Sequence, residues 1–320
     1  MNARIETPCS AVFVCALALL ITACASEADR QQLRSERTMQ RTLVALKSAG
    51  DADSLAAAAE LGDASTEYDT RRLELLTGAV ALAPDRVDLL WLQLAACSQI
   101  RACDPTPIAA TLRRLDPENG AAWTPFLNQA VSRGDAKATV KYLAALAKCK
   151  RFDVYWNSSI AHLTTAVIKV HTVDARVALT AVIGAEAALA LPAYEAVAKA
   201  CGAPALQESG RLGTCRGIAV TMRGGDTYIS EMLGIAMAKR VWPATSAEYA
   251  DATAERRLEE YRIRTADGIA LTMLYSNASA TEYLQLLRDH RTEQEMALAI
   301  IAAAGKNPNP PAHWTESYPP

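Results

Sequence analysis

The chain has 320 residues, with 33 Lys and Arg against 35 Asp and Glu, a formal net charge of −2. That balance excludes the strong basic field that drives binding to phosphate backbones, so no nucleic-acid partner is expected. Aromatic residues make up 6% and histidines number 4, too few to favour stacking platforms or histidine-rich metal sites. Alanine and leucine dominate, both strong helix formers, and no sustained alternation of β-branched and polar residues marks a sheet. The predicted fold class is all-α: stacked helical hairpins, as a solenoid or as a bundle.

In chain order, Arg4 and Glu6 precede the apolar run Ala11 to Ile21, AVFVCALALLI. A membrane-crossing helix needs about 20 apolar residues. This run falls short, and the chain turns polar at Ser26-Glu27-Ala28-Asp29-Arg30. Residues 1–23 therefore read as a cleaved secretory signal rather than a span. Ala23-Cys24-Ala25 carries the A-x-A pattern of ordinary signal cleavage.

Ile21-Thr22-Ala23-Cys24 also resembles the bacterial lipobox, an aliphatic residue and small ones before a cysteine. The resemblance implies that Cys24 is lipidated and becomes the new N-terminus. Ala25 stands where the family's inner-membrane retention signal usually has Asp, which implies outer-membrane sorting. The expected location is the bacterial cell envelope, facing the periplasm, with a soluble periplasmic or secreted form as the alternative. Each buried acyl CH₂ contributes about 0.8 kcal/mol and stable anchoring takes more than one chain. A lipidated cysteine carries several, so the anchor needs no further membrane-binding surface.

Residues 24–65 form an N-terminal helical segment: a helix over Ser26 to Ser48 ending near Gly50, then a short one capped by Asp53 or Ser54 and stopped at Gly62. Thr66 begins TEYDTRRLELLTGAVALAPD, in which Leu73, Leu76, Val80 and Ala83 share one helical face and must pack against something. Three tryptophans follow, Trp91, Trp123 and Trp156, separated by 32 and 33 residues, and Pro84 and Pro117 are 33 apart. The Ala-Pro-Asp and Asp-Pro-Glu turns stop one helix at the proline, and their acidic residue favours the next N-terminus. The period is that of a helix–turn–helix unit. Residues 66–160 thus resemble degenerate tetratricopeptide repeats, with Ala79 at the small-residue position and Leu94 and Phe126 at the large apolar one. Ala95 and Leu127 stand where that family prefers glycine, and Ser98 and Ala130 replace its tyrosine.

Residues 161–305 read as a C-terminal helical region without the period. Ala175 to Ala200 is nearly all apolar or small and is expected to be buried on more than one side. Gly202 to Gly225 reads as loop except around Arg216 to Met222, and Asp226 or Thr227 caps YISEMLGIAMAKRVW. Capping boxes are predicted at Thr245-x-x-Glu248, Ser279-x-x-Glu282 and Thr292-x-x-Glu295. Gly305 suits a helix stop, and the proline-rich tail 306–320 is expected to be extended.

Chemistry is sparse. Cys97 and Cys103 bracket SQIRA, and Cys201 and Cys215 bracket a stretch broken by Gly, Pro and Ser. In an oxidising periplasm the expected pairs are 97–103 and 201–215 with Cys149 free, although spacing alone does not fix connectivity. The alternative is that all are small buried hydrophobes. No C-x-x-C occurs and the histidines 162, 171, 290 and 313 are scattered, so no metal site and no cofactor are predicted. Arg223-Gly224-Gly225-Asp226-Thr227 is the nearest approach to an anion-binding glycine loop, but Asp226 would occupy that field itself and reads as a cap. Glu186 and Glu195, with Tyr194, sit in apolar sequence; Glu186 would be a raised-pKa acid only if buried, and reads as a helix-surface residue. No catalytic residues are predicted. The function expected is a non-enzymatic envelope scaffold or adaptor for unidentified envelope proteins. A cell-envelope enzyme acting on cell-wall polymer and a purely structural helical protein are the alternatives.

Overall fold

The computed structural model describes residues 32–62, 66–190 and 192–315. Cys24, the predicted signal 1–23 and the end of the tail lie outside them. Among the described residues the fold is all-α, without strands. Helix α1 covers 32–49, followed by α2 (Ala52–Glu60), α3 (Thr66–Leu82), α4 (Val87–Gln99) and α5 (Thr106–Leu115). A 3₁₀ turn, Ala121–Trp123, leads into α6 (Thr124–Ser132) and α7 (Ala136–Leu146). Then come α8 (Trp156–Lys169), α9 (Ala175–Ala190), α10 (Pro192–Ala200) and α11 (Arg211–Arg223). The last four are α12 (Tyr228–Val241), α13 (Ala247–Met273), α14 (Asn277–Asp289) and α15 (Glu293–Ala303).

Neighbours in sequence pack in pairs, α2 on α3, α6 on α7, α8 on α9 and α11 on α12. Partners remote in sequence also interlock: α2 with α8, α6 with α10, α7 with α11, and α8 with α14. An open solenoid confines contacts to adjacent repeats; here α8 is surrounded instead, as in a bundle. Its buried residues Asn157, Ile160, Leu163, Thr164 and Val167 fall on more than one face. Helix α2 is buried similarly, because Ala56, Ala57, Ala58 and Ala59 let neighbours approach from every side.

Several local expectations change. The second helix is capped by Asp51, whose carboxylate accepts from Ser54 N, rather than by Asp53 or Ser54. Of the three predicted capping boxes, Thr292 with Glu295 forms. Helices α13 and α14 start instead at Ser246 and Ser276, which displace Thr245 and Ser279 because their hydroxyls reach the free N–H groups of Tyr249 and Ser279. Ala175 to Ala200 is divided into α9 and α10, and α9 leaves Val177, Thr180 and Gly184 exposed, so it is one-sided. The short piece expected around Arg216 to Met222 is helical but longer: α11 runs for 13 residues from Arg211 to Arg223, into the stretch read as loop. Of its two glycines, Gly217 is a contact: a Cβ there would lie 3.0 Å from Ala147 O, so glycine lets α11 meet the end of α7. Gly234 does the same for α12, where a Cβ would stand 2.6 Å from Arg223 N.

Cys97 and Cys103 are bonded at 1.99 Å and Cys201 and Cys215 at 1.97 Å, joining α4 to the start of the α5 turn and α10 to α11. After Gly305, at φ +64°, residues 306–315 run along α13 without helix. Arg257 Nη2 donates to the carbonyls of Pro311 and Trp314, and Trp314 meets Tyr261 edge-on with centroids 5.7 Å apart. No described helix is long and apolar enough to cross a membrane.

Candidate functional site

Four connections meet along one ridge: 116–120, 149–155, 224–227 and 290–293. Main-chain bonds link them in that order. Lys150 N donates to Glu118 O at 3.0 Å and Gly120 N to Arg151 O at 2.8 Å. Asp226 N donates to Phe152 O at 3.3 Å, and Glu293 N to Asp226 O at 2.9 Å. Each connection opens a helix, so the N-termini of α8, α12 and α15 and of the 3₁₀ turn before α6 converge here. Their unpaired N–H groups and aligned dipoles demand acceptors and negative charge.

The side chains answer that demand. Tyr155 stands at the N-cap of α8 in the left-handed region, φ 59°, and its side chain makes no cap. Asp226, from a connection distant in sequence, supplies it: Oδ1 accepts from Val154 N and Oδ2 from Trp156 N, at 2.9 and 3.0 Å. Glu293 accepts from Tyr228 N at the start of α12. Asn119 is buried and fully used; its Oδ1 accepts from Ala121 N and Asp153 N, and its Nδ2 donates to Asp153 O and the Tyr155 hydroxyl. The Tyr155 hydroxyl donates to Asp116 at 2.7 Å, which helps hold the left-handed backbone, a strain of order 1 kcal/mol.

Beside the ridge lies an open cleft of about 500 Å³ whose lining includes Asp116, Arg151, Asp153, Asp226, Arg288 and Arg291. Arg151 bridges Asp116 at 2.5 Å and Asp153 at 2.6 Å, and Arg291 reaches Asp153 at 2.6 Å. Burial pushes the Asp226 carboxyl up to about 7, with Asp153 adding repulsion and the two backbone N–H bonds opposing. Burial also raises Tyr155, and raises Glu293 to about 7 against its bond from Tyr228 N. Asp153 Oδ1 is buried without a partner, while Oδ2 takes both guanidiniums. The carboxylates are thus committed to caps and ion pairs. Arg288 and Arg291 are exposed and form a basic rim.

No family model, curated protein or solved structure matches this chain.

The sequence-predicted residues fall mostly elsewhere. Cys149 is free and half-buried, its thiol held at 3.5 Å from Ala145 O and raised by burial, which is the opposite of an activated nucleophile. Glu186 is not on the surface. It is 6% exposed, in the core beside the buried Arg72–Glu60 ion pair. Burial raises its carboxyl well above the usual range, and Glu60 adds repulsion. The small space there holds no substrate. Glu195 is exposed, while Tyr194 is buried with its hydroxyl 3.1 Å from Thr227 Oγ1. Thr227 caps α12 and Asp226 caps a different helix from the one it precedes. His162 pairs with Asp88 and Arg86, and no group of three or more His, Cys, Asp or Glu among the described residues could hold a metal ion. Sequence reasoning missed Asn119, Arg151, Asp153 and Arg291. The one available signal was that Asp116-Pro117-Glu118-Asn119-Gly120 and Arg151-Phe152-Asp153 occupy the two inter-tryptophan turns.

Proposed function

We propose that this protein is an envelope lipoprotein, tethered through Cys24 to the outer membrane, whose helical body, tetratricopeptide-like in the sequence of residues 66–160 and closed as a bundle, is a non-enzymatic scaffold for other envelope proteins. The observation that carries the scaffold reading is the commitment of the cleft's carboxylates: Asp116, Asp153 and Asp226 all serve arginines, a tyrosine or helix N-termini. A catalytic acid–base pair needs groups within reach of the reacting atoms and free to move a proton. The two cystine-distance pairs support the oxidising compartment. Gathering three carboxylates in one cleft favours, as a second reading, an envelope enzyme acting on cell-wall polymer.

Two arms of one experiment test the proposal. Wild-type chain is expected in the membrane fraction and to incorporate a lipid precursor, and Cys24→Ala is expected to lose both. Unchanged fractionation and labelling would refute the anchor. Tagged wild-type protein captured from native envelopes is expected to bring down a stoichiometric partner; turnover of cell-wall polymer that Asp153→Asn abolishes would refute the scaffold.

A further inference from the structure

A second concavity, about 610 Å³, lies between α5, α6 and α7 and is walled by the Cys97–Cys103 loop. At its floor the Arg113 guanidinium covers the Trp123 ring, 4.2 Å from carbon to centroid, and stands 5.6 Å from the Phe126 centroid. Tyr142 completes the platform, its centroid 5.5 Å from Phe126 and 6.3 Å from Trp123. All four residues are half-buried.

Arg113 lacks an anion, and unlike Arg216 and Arg257, which also lie over tryptophan rings but donate to carbonyls, it has a buried nitrogen with no acceptor. Arg72, Arg86, Arg151, Arg211, Arg223 and Arg291 each hold a carboxylate. No ion pair reaches Arg113 among the described residues, and its Nη1 is buried without an acceptor. Burial holds this guanidinium below the usual arginine range. A half-buried cation without a partner weakens the folded state unless an acceptor arrives from outside. Arg101 and Lys141 line the same groove. The nearby acid, Asp104, already accepts from Thr106 N at 2.9 Å. The groove therefore presents three cations against one carboxylate over an aromatic floor.

We propose that this groove docks an acidic polypeptide segment of a partner protein, its carboxylates on Arg113, Arg101 and Lys141 and an apolar or aromatic side chain against Phe126 and Tyr142. The proposal deepens the scaffold reading and rests on it. A saccharide fits less well, because sugar stacking needs an open ring face and the guanidinium lies across that of Trp123. Charge brings the segment in, and a half-buried arginine over aromatic rings, desolvated further when the segment docks, is the kind of group that dominates binding energy.

The test uses the full chain in detergent and fluorescein-labelled random copolymer of Glu and Tyr, read by anisotropy. Poly-Glu and dextran sulfate serve as comparisons. The copolymer is expected to bind, more tightly than either comparison, with affinity falling as salt rises. Arg113→Gln is expected to weaken binding about ten-fold, and the exposed substitution Arg101→Glu, which leaves the core untouched, also to weaken it. Equal affinity of wild type and both variants would overturn the proposal, as would dextran sulfate binding as tightly as the copolymer. If wild type captures an envelope partner and both variants capture it equally, the groove assignment falls and the scaffold stands. If wild type captures no partner and binds no copolymer, both fall.

Discussion

Arg151, in the loop ridge, and Arg113, in the aromatic groove, are both partly buried guanidiniums. Arg151 bridges two carboxylates at 2.5 and 2.6 Å. Arg113 lies on rings and pairs with none. At the ridge, helix N-termini from distant parts of the chain have drawn acids and amides into a closed network, so charge there holds the molecule together. In the groove nothing within the described residues closes the network, so charge there is available to another molecule. The contrast teaches that the density of titratable groups is a poor guide to function; what separates architecture from recognition is whether each group already has its partner.

The comparison can be broken most severely at Asn119. Asn119→Ala removes four hydrogen bonds at once and strands the buried N–H and carbonyl of Asp153. Unfolding in urea should show a loss of about 3 kcal/mol or more, since each stranded buried group costs about 1–3 kcal/mol. A loss below about 1 kcal/mol would mean that the ridge is not a structural keystone.

The groove wall offers the next effect. Replacing Cys97 and Cys103 by serine opens a short loop, whose closure limits the unfolded chain by about 2 kcal/mol. Thermal unfolding should move down accordingly, and copolymer binding should weaken with it. Retained binding would place the contacts outside the wall.

A smaller, pH-dependent effect takes in the ridge together with Glu231, a buried residue of α12 that accepts from Gln294 beside it. Burial raises Glu231 from its ordinary 4.5 to about 7, against a bond from Gln294 and with Glu259 repelling, and it raises Glu293 and Asp226 to about 7 as well. A carboxyl raised on folding stabilises the protein fully below its unfolded value, and that stability is lost as pH rises through the folded one. The free energy of unfolding should therefore fall between about pH 4.5 and 7. Glu231→Gln should remove up to about 1.4 kcal/mol per pH unit from that slope, one proton's share. A flat profile in wild type would show that these carboxyls are solvated.

Much of the helical fold was legible because its signals are local. Pro84 and Pro117 mark real helix ends, Gly305 adopts the positive φ of a stop, and Thr292-x-x-Glu295 closes as a capping box. The failures have a common cause in tertiary contact. Gly210 and Gly213 make the stretch before Arg216 look like loop, yet α11 begins at Arg211 and passes through Gly213, held by Cys215, Ile218, Ala219 and Met222 in the core. Glu186 among alanines reads as a surface residue, but Glu60 and Arg72 come from α2 and α3 to bury it. Asp226 was recognisable as a cap; that it caps α8 was not, because the pairing of 224–227 with 149–155 exists only after folding. Arg113 and Trp123 illustrate the same limit, since residues ten apart on either side of Asp116-Pro117 stack only once α5 and α6 are in place.

The most direct test sets Arg151→Gln beside Arg113→Gln in the same urea-unfolding experiment at neutral pH. If ridge charges are architecture and groove charges are not, Arg151→Gln should cost about 2 kcal/mol, allowing for its partial exposure. Arg113→Gln should leave stability within about 0.5 kcal/mol or raise it. Equal losses from the two substitutions, or a larger one from Arg113→Gln, would contradict the account.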